Sequence, residues 1–214
     1  MSDEKLPQGE ISRRKFVTGA LGVTAGVGVL SLASVVGALK PAKRPPTAEQ
    51  KPPAAGDVLV YAGGTNKDQP IKVADLKADG LMVKAWPKGE VLKDKNDNNL
   101  LILFRYADGV LKEPAKVEDT VQGVIVYGGI CQHLGCQVNQ KDDGTLLCPC
   151  HSGAYDPRAG GEVIGGPPPR PLAQLPVEEK DGVLVVKEYY VRPRYGESVA
   201  DWQTNRADAS KGGA

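Results

Sequence analysis

All four cysteines and both histidines of this 214-residue chain lie in one stretch, between Cys131 and His151. Scatter would not gather every sulfhydryl and imidazole so tightly. The stretch holds two boxes, Cys131-x-His133-Leu134-Gly135-Cys136 and Cys148-Pro149-Cys150-His151, joined by eleven residues. Each box pairs a cysteine and a histidine at ligand-compatible spacing and adds a spare cysteine, Cys136 or Cys150. Three chemistries use such a set. A zinc site takes Cys2His2 in tetrahedral geometry. Two disulfides use the four thiols and leave the histidines idle. A 2Fe–2S centre takes two cysteines on one iron and two histidines on the other. The boxes are short and rich in Gly and Pro, so their backbones can curl around a compact inorganic core. A zinc finger would normally carry its histidines on a helix, and no helix-forming run holds His133 or His151.

The sequence around the boxes reads as β structure. From Asp57 to about Tyr190, short apolar runs alternate with turn residues: "DVLVYAGG", "LMVKAW", "LLILFRY", "GVIVYGG", "LAQLPVEE" and "GVLVVKEYY". All have strand length and strand composition. The breaks "ADG" (78–80 and 107–109), "DDG" (142–144) and "KDG" (180–182) suit hairpin connections. A helical period is hard to find, except around Val117–Thr120. The expected fold is an all-β, antiparallel domain over 57–190, its cluster-binding part at about 129–170. Residues 191–214 read as a polar, mobile tail in which Trp202 is the one residue suited to docking. The formal net charge is +1, no basic face dominates, and nucleic acid is excluded as an implied partner.

The N-terminus adds a location. Residues 1–15 are polar, and the 24 residues from Phe16 to Leu39 carry no charge. As a helix this run would be about 36 Å long, against a bilayer core of about 30 Å. A retained transmembrane helix is expected over 16–39, because a removable signal core is usually shorter and no small-residue cleavage site follows. Arg13–Arg14 before it, with Phe16 two residues on, resembles a twin-arginine export signal. Lys40, Lys43, Arg44 and Lys51 after the span match Lys5, Arg13, Arg14 and Lys15 before it, so basic residues give no orientation. Residues 40–56 hold five prolines and read as an extended hinge or linker.

The pair "CQHLGC" and "CPCHSGAYD" resembles the two boxes of Rieske iron–sulfur proteins, in the same order and with a short connection. The resemblance is strongest over 122–172. It implies a Rieske-type β-sheet sandwich with a small cluster-binding subdomain, preceded by the membrane helix, and one 2Fe–2S cluster. It makes Cys131 and Cys148 the ligands of the inner iron, and His133 and His151 those of the outer. It pairs Cys136 with Cys150 in a disulfide, a mark of the quinol-oxidising branch, and such a bond suits an oxidising compartment. Leu134 belongs to the first cluster loop, and Tyr155 matches a tyrosine whose hydroxyl donates to a cysteine ligand. "GGPPPRPL" (165–172) falls where the family has a proline-rich lid, led here by Gly166 and Pro167. One departure stands out: many members read "CPCHGS", whereas Ser152–Gly153 puts glycine at the usual serine position. A lower midpoint potential is expected, which would suit menaquinol.

The implied function is electron transfer as a subunit of a cytochrome bc-type quinol:cytochrome c oxidoreductase. Its expected partners are a cytochrome b subunit, a c-type cytochrome and quinol, in a dimeric complex. His151, with His133, would meet the quinol, coupling electron to proton. The expected location is a bacterial cytoplasmic membrane, single-pass, with the C-terminal domain on the periplasmic side. The small subunit of an arsenite oxidase-like molybdoenzyme resembles the same pattern and is the alternative.

Overall fold

The computed structural model describes residues 52–88 and 97–211. The expected membrane helix, the twin-arginine segment and most of the linker lie outside the described residues. Among the described residues, no helix is long and apolar enough to cross a membrane.

The strands in chain order are β1 (Val58–Tyr61), β2 (Val83–Lys88), β3 (Leu101–Arg105), β4 (Val124–Gly128), β5 (Asn139–Gln140), β6 (Leu146–Cys148), β7 (Gly153–Asp156), β8 (Glu162–Gly165), β9 (Val177–Lys180) and β10 (Val183–Val186). They form two antiparallel sheets, one of six strands in the order β4-β3-β2-β1-β10-β9 and one of four in the order β5-β6-β7-β8. The fold is mostly β, as the apolar runs require.

Residues on β3 and β4 alternate between two buried faces, as the two-residue period of a strand dictates. Leu101, Leu103, Val124 and Val126 enter one core with Leu59, Leu175 and Leu184. Ile102, Phe104, Ile125 and Tyr127 enter a second core with Cys131, Leu146, Cys148, Tyr155 and Leu172. Burial on both sides explains why "LILF" is apolar throughout instead of alternating with polar residues. The second core also positions the site, because the small sheet and both cysteine boxes rest on it.

Two of the four expected hairpin breaks are hairpins. Asp181 (φ 52°) and Gly182 (φ 77°) turn β9 into β10, as a two-residue loop with both residues left-handed does. The segment 142–144 lies in the β5–β6 turn, closed by Lys141 N–H donating to the Thr145 carbonyl at 2.8 Å. The "ADG" triplets at 78–80 and 107–109 sit inside longer connections, β1 to β2 and β3 to β4. Those connections join strands that do pair, β1 with β2 and β3 with β4, but they are too long for tight hairpin turns. Val117–Asp119 forms a single 3₁₀ turn.

Both ends of the domain extend further than the sequence pattern suggests. Pro53 is buried, and Gly56 N–H donates to the Val186 carbonyl at 2.8 Å. The last linker residues therefore belong to the domain. The expected mobile tail is instead an α-helix, α1 (Val199–Lys211). Ser198 caps it: the Asp201 N–H donates to Ser198 Oγ at 3.1 Å, and Ser198 Oγ–H donates to the Asp201 carboxylate at 2.6 Å. This Ser-x-x-Asp pattern is an ordinary helix-start signal. Trp202 does dock, donating its indole N–H to the Tyr190 carbonyl at 2.8 Å, and Arg206 lies over its ring at 5.5 Å.

Candidate metal centre

The first box follows β4 as a tight turn. Cys131 N–H donates to the Cys136 carbonyl at 2.8 Å, and Gly135 N–H to the Cys131 carbonyl at 3.2 Å. The second box is the tip of the β6–β7 hairpin, with Cys148 paired across to Gly153. A disulfide between Cys136 and Cys150 joins the two loops. The remaining cysteines, Cys131 and Cys148, are free thiols, 1% and 2% exposed. The histidines are more open to solvent. Their rings meet edge to face with centroids 4.8 Å apart, and His151 is exposed while His133 is half-buried.

Donor chemistry and orphaned atoms fit a small iron–sulfur core. His133 Nδ1 is buried without a hydrogen-bond partner, an arrangement that costs free energy unless something else occupies the lone pair. Burial pushes the Cys131 thiol up, and neighbouring Cys148 adds to this. The Tyr155 hydroxyl and the His133 backbone N–H pull it down. Thiolates so buried require positive charge beside them, which a metal supplies. Soft thiolates inside and imidazoles outside are a donor set suited to mixed iron ligation.

Tyr155, fully buried on β7, lies with its hydroxyl 3.2 Å from Cys131 Sγ. The same oxygen accepts from Gln132 N–H at 3.1 Å, which leaves the phenol proton for the sulfur. Leu134 is 61% exposed beside His133. The lid at 165–172 touches the second box closely: a Cβ on Gly166, whose φ is +77°, would lie 2.5 Å from the Ser152 carbonyl oxygen. Pro167 is exposed, whereas Pro168 is buried. A Cβ on Gly153 would lie 2.6 Å from Pro168 Cγ, so the proline ring fills the space that a serine side chain would need. Ser152 is exposed, with φ +57°.

The Rieske [2Fe-2S] domain family matches residues 81–176. A cytochrome bc1 complex Rieske iron-sulfur subunit of Streptomyces lividans is 30% identical over 123 residues, 54% of this chain and 72% of that protein. The chain belongs to the Rieske family. As a Rieske protein it binds one 2Fe–2S cluster. A putative respiratory nitrate reductase Rieske subunit of Haloferax mediterranei is 44% identical over 85 residues, which is 39% of this chain and 39% of that relative. A solved structure described as hyperthermophilic respiratory Complex III aligns with 79% of this Rieske chain and 97% of its own, at 29% identity and a TM-score of 0.38.

Every box residue singled out in the sequence converges on one end of the Rieske domain. Sequence reading placed Pro168 and Arg170 in the lid without giving either a role of its own, and missed Gln132 and Tyr195, which brace the same end. Gln132 was the unassigned residue between two candidate ligands, and Arg170 the one charge in a proline loop.

Proposed function

We propose that this chain is the electron-transfer subunit of a cytochrome bc-type quinol:cytochrome c oxidoreductase, with Cys131, Cys148, His133 and His151 holding the cluster. The observation that carries this reading is the Cys136–Cys150 disulfide clamping two loops whose exposed edge presents His151 and Leu134. When bound, the cluster accepts and releases one electron at a time. The chain's residues do the rest. Buried Cys131 and Cys148 keep the sulfur side away from water. Tyr155 donates to Cys131 Sγ and so favours the more negative, reduced state. His151 is the imidazole placed to meet a quinol hydroxyl and hold its proton at the ring nitrogen. Leu134 and Pro167 give that edge an apolar rim on which a cytochrome b subunit would close.

The missing hydroxyl at Gly153 removes one donor to the cluster and favours a low-potential quinol such as menaquinol. The disulfide supports a domain working outside the cytoplasm. The chain would be tethered by its 16–39 span and carried between cytochrome b and a c-type cytochrome on the 40–56 segment, in a dimeric assembly. The Haloferax mediterranei likeness favours a second reading, a Rieske module feeding a nitrate-reducing complex. The deciding experiment compares membranes with and without the protein. Quinol-dependent cytochrome c reduction lost on deletion supports the bc-type reading. Loss of quinol-dependent nitrate reduction alone supports the second. Iron and acid-labile sulfide assays on His151→Ala and Cys148→Ser test the ligand set: both variants must lose the native cluster.

A further inference from the structure

We propose that Arg170 is a positioning residue through which the C-terminal extension sets the midpoint potential, by holding the Gln132–Tyr155–Cys131 chain of hydrogen bonds. The inference rests on the assignment of Cys131 as a cluster ligand.

The chain runs through four groups. Tyr155 has one proton. Because its oxygen accepts from Gln132 N–H at 3.1 Å, that proton is directed to Cys131 Sγ at 3.2 Å. Gln132 thus decides which way the tyrosine points, and Gln132 is itself only 4% exposed. Its side-chain oxygen accepts from Arg170 Nε at 2.9 Å. The other arm of the guanidinium, Nη2, donates to the Arg194 carbonyl at 3.0 Å and to the Glu197 carbonyl at 3.5 Å. The rigid planar fork of arginine suits this bridging role, which the point charge of a lysine would not reproduce.

The far end of the bridge is anchored. Arg194 Nη1 donates to Asn99 Oδ1 at 2.6 Å, and the Glu197 carboxylate accepts from Asn205 Nδ2 at 2.7 Å. Trp202 fixes α1 to Tyr190, four residues beyond the end of β10. The same extension touches the ligand loop a second time. Tyr195 covers Gly135 so closely that a Cβ there would lie 2.5 Å from Tyr195 Cε1. The loop carrying Cys131 and His133 is therefore held at Gln132 by Arg170, which lies within the matched family region and is anchored on 194–197, and at Gly135 by Tyr195, beyond that region's end at residue 176. Loosening that grip frees the Gln132 backbone, lengthens the Tyr155 donation and makes the extra electron less welcome on the cluster.

The test uses the full chain with its cluster, followed by redox titration and electron paramagnetic resonance of the reduced state. Arg170→Met and Gln132→Met each lower the one-electron reduction constant about tenfold, about 59 mV, with iron content unchanged and the resonance line shape altered. Arg170→Lys recovers only part of the shift. In a Tyr155→Phe background, Arg170→Met adds nothing, because the chain it supports is already cut. An unchanged potential in iron-loaded Arg170→Met overturns the inference. An equal further shift in the Tyr155→Phe background overturns the route through the tyrosine, because a bare charge effect would persist there. Wild-type protein without iron overturns the ligand assignment, and the inference with it.

Discussion

In the six-stranded sheet, side chains such as Leu101 and Ile102 point to opposite faces and both find an apolar partner. In the four-stranded sheet the strands are two to four residues long, and few of their side chains reach any core. The large sheet is held by area removed from water. The small one is held by specific devices: a disulfide, closely fitted glycines and a lid proline. The large sheet is thus a platform that tolerates apolar exchange, and the small one a fixture that does not. This division suits an electron-transfer site, whose geometry must stay put while charge comes and goes.

The contrast breaks most visibly under core truncation. Leu103→Ala, at a fully buried position of β3, should cost about 2–5 kcal/mol of global stability. The cluster spectrum should stay native until the whole domain melts; calorimetry alongside visible absorbance checks this. An early, separate loss of colour would mean that the platform and the fixture are not distinct. Removing the disulfide as Cys136→Ser/Cys150→Ser opens a loop of sequence separation 14 and should cost about 3 kcal/mol. Here hydrogen exchange should rise in β5–β8 while β1–β4 stay protected. Equal loss of protection in both sheets would make them one cooperative unit.

Gly153→Ser sharpens the comparison at a single site. The added atoms meet the Pro168 ring, so overpacking should cost about 1–3 kcal/mol, read as earlier thermal bleaching. Pro168→Ala in the same chain should restore stability and let the hydroxyl raise the potential. The smallest effect is acid-dependent. Burial works to raise the Asp156 pKa, but hydrogen bonds and charge from Arg158, with the charge of Lys112, prevail and hold it below the usual carboxylate value. A depressed folded pKa contributes stability above the unfolded value of about 3.9, and that contribution fades as pH falls through the folded one. Asp156→Asn should therefore cost about 1 kcal/mol at neutral pH, with the gap to wild type closing towards pH 3 in denaturant titrations. A constant gap would show that the loss does not come from the charge of Asp156.

The six runs read from the sequence as strands contain β1, β3, β4 and β10 and overlap most of β2 and β9, because half-buried and fully buried strands must be apolar at a two-residue period or throughout. β5–β8 left no such trace. Asn139–Gln140 and Gly153–Asp156 carry polar and small residues whose strand geometry comes from hairpin pairing and from the cluster loops they support. The cysteine and histidine boxes were legible because ligand chemistry admits few residue types at few spacings. Gln132, Arg170 and Tyr195 were not, since a glutamine, an arginine and a tyrosine fit many surroundings equally well.

The chain's residues alone determined that there is a β platform and that its candidate ligands gather in two neighbouring boxes, and the resemblance of those boxes to Rieske proteins made one 2Fe–2S centre their purpose. Apolar period and donor spacing are local properties, written within a few residues of each other. Tertiary structure decided that residues 191–211 fold back as an anchored extension, that Pro168 occupies the room a serine would need, and that Arg170 bridges the extension to Gln132. Those are contacts between segments far apart in sequence, such as Arg194 with Asn99, and only the folded backbone brings their atoms within hydrogen-bonding reach.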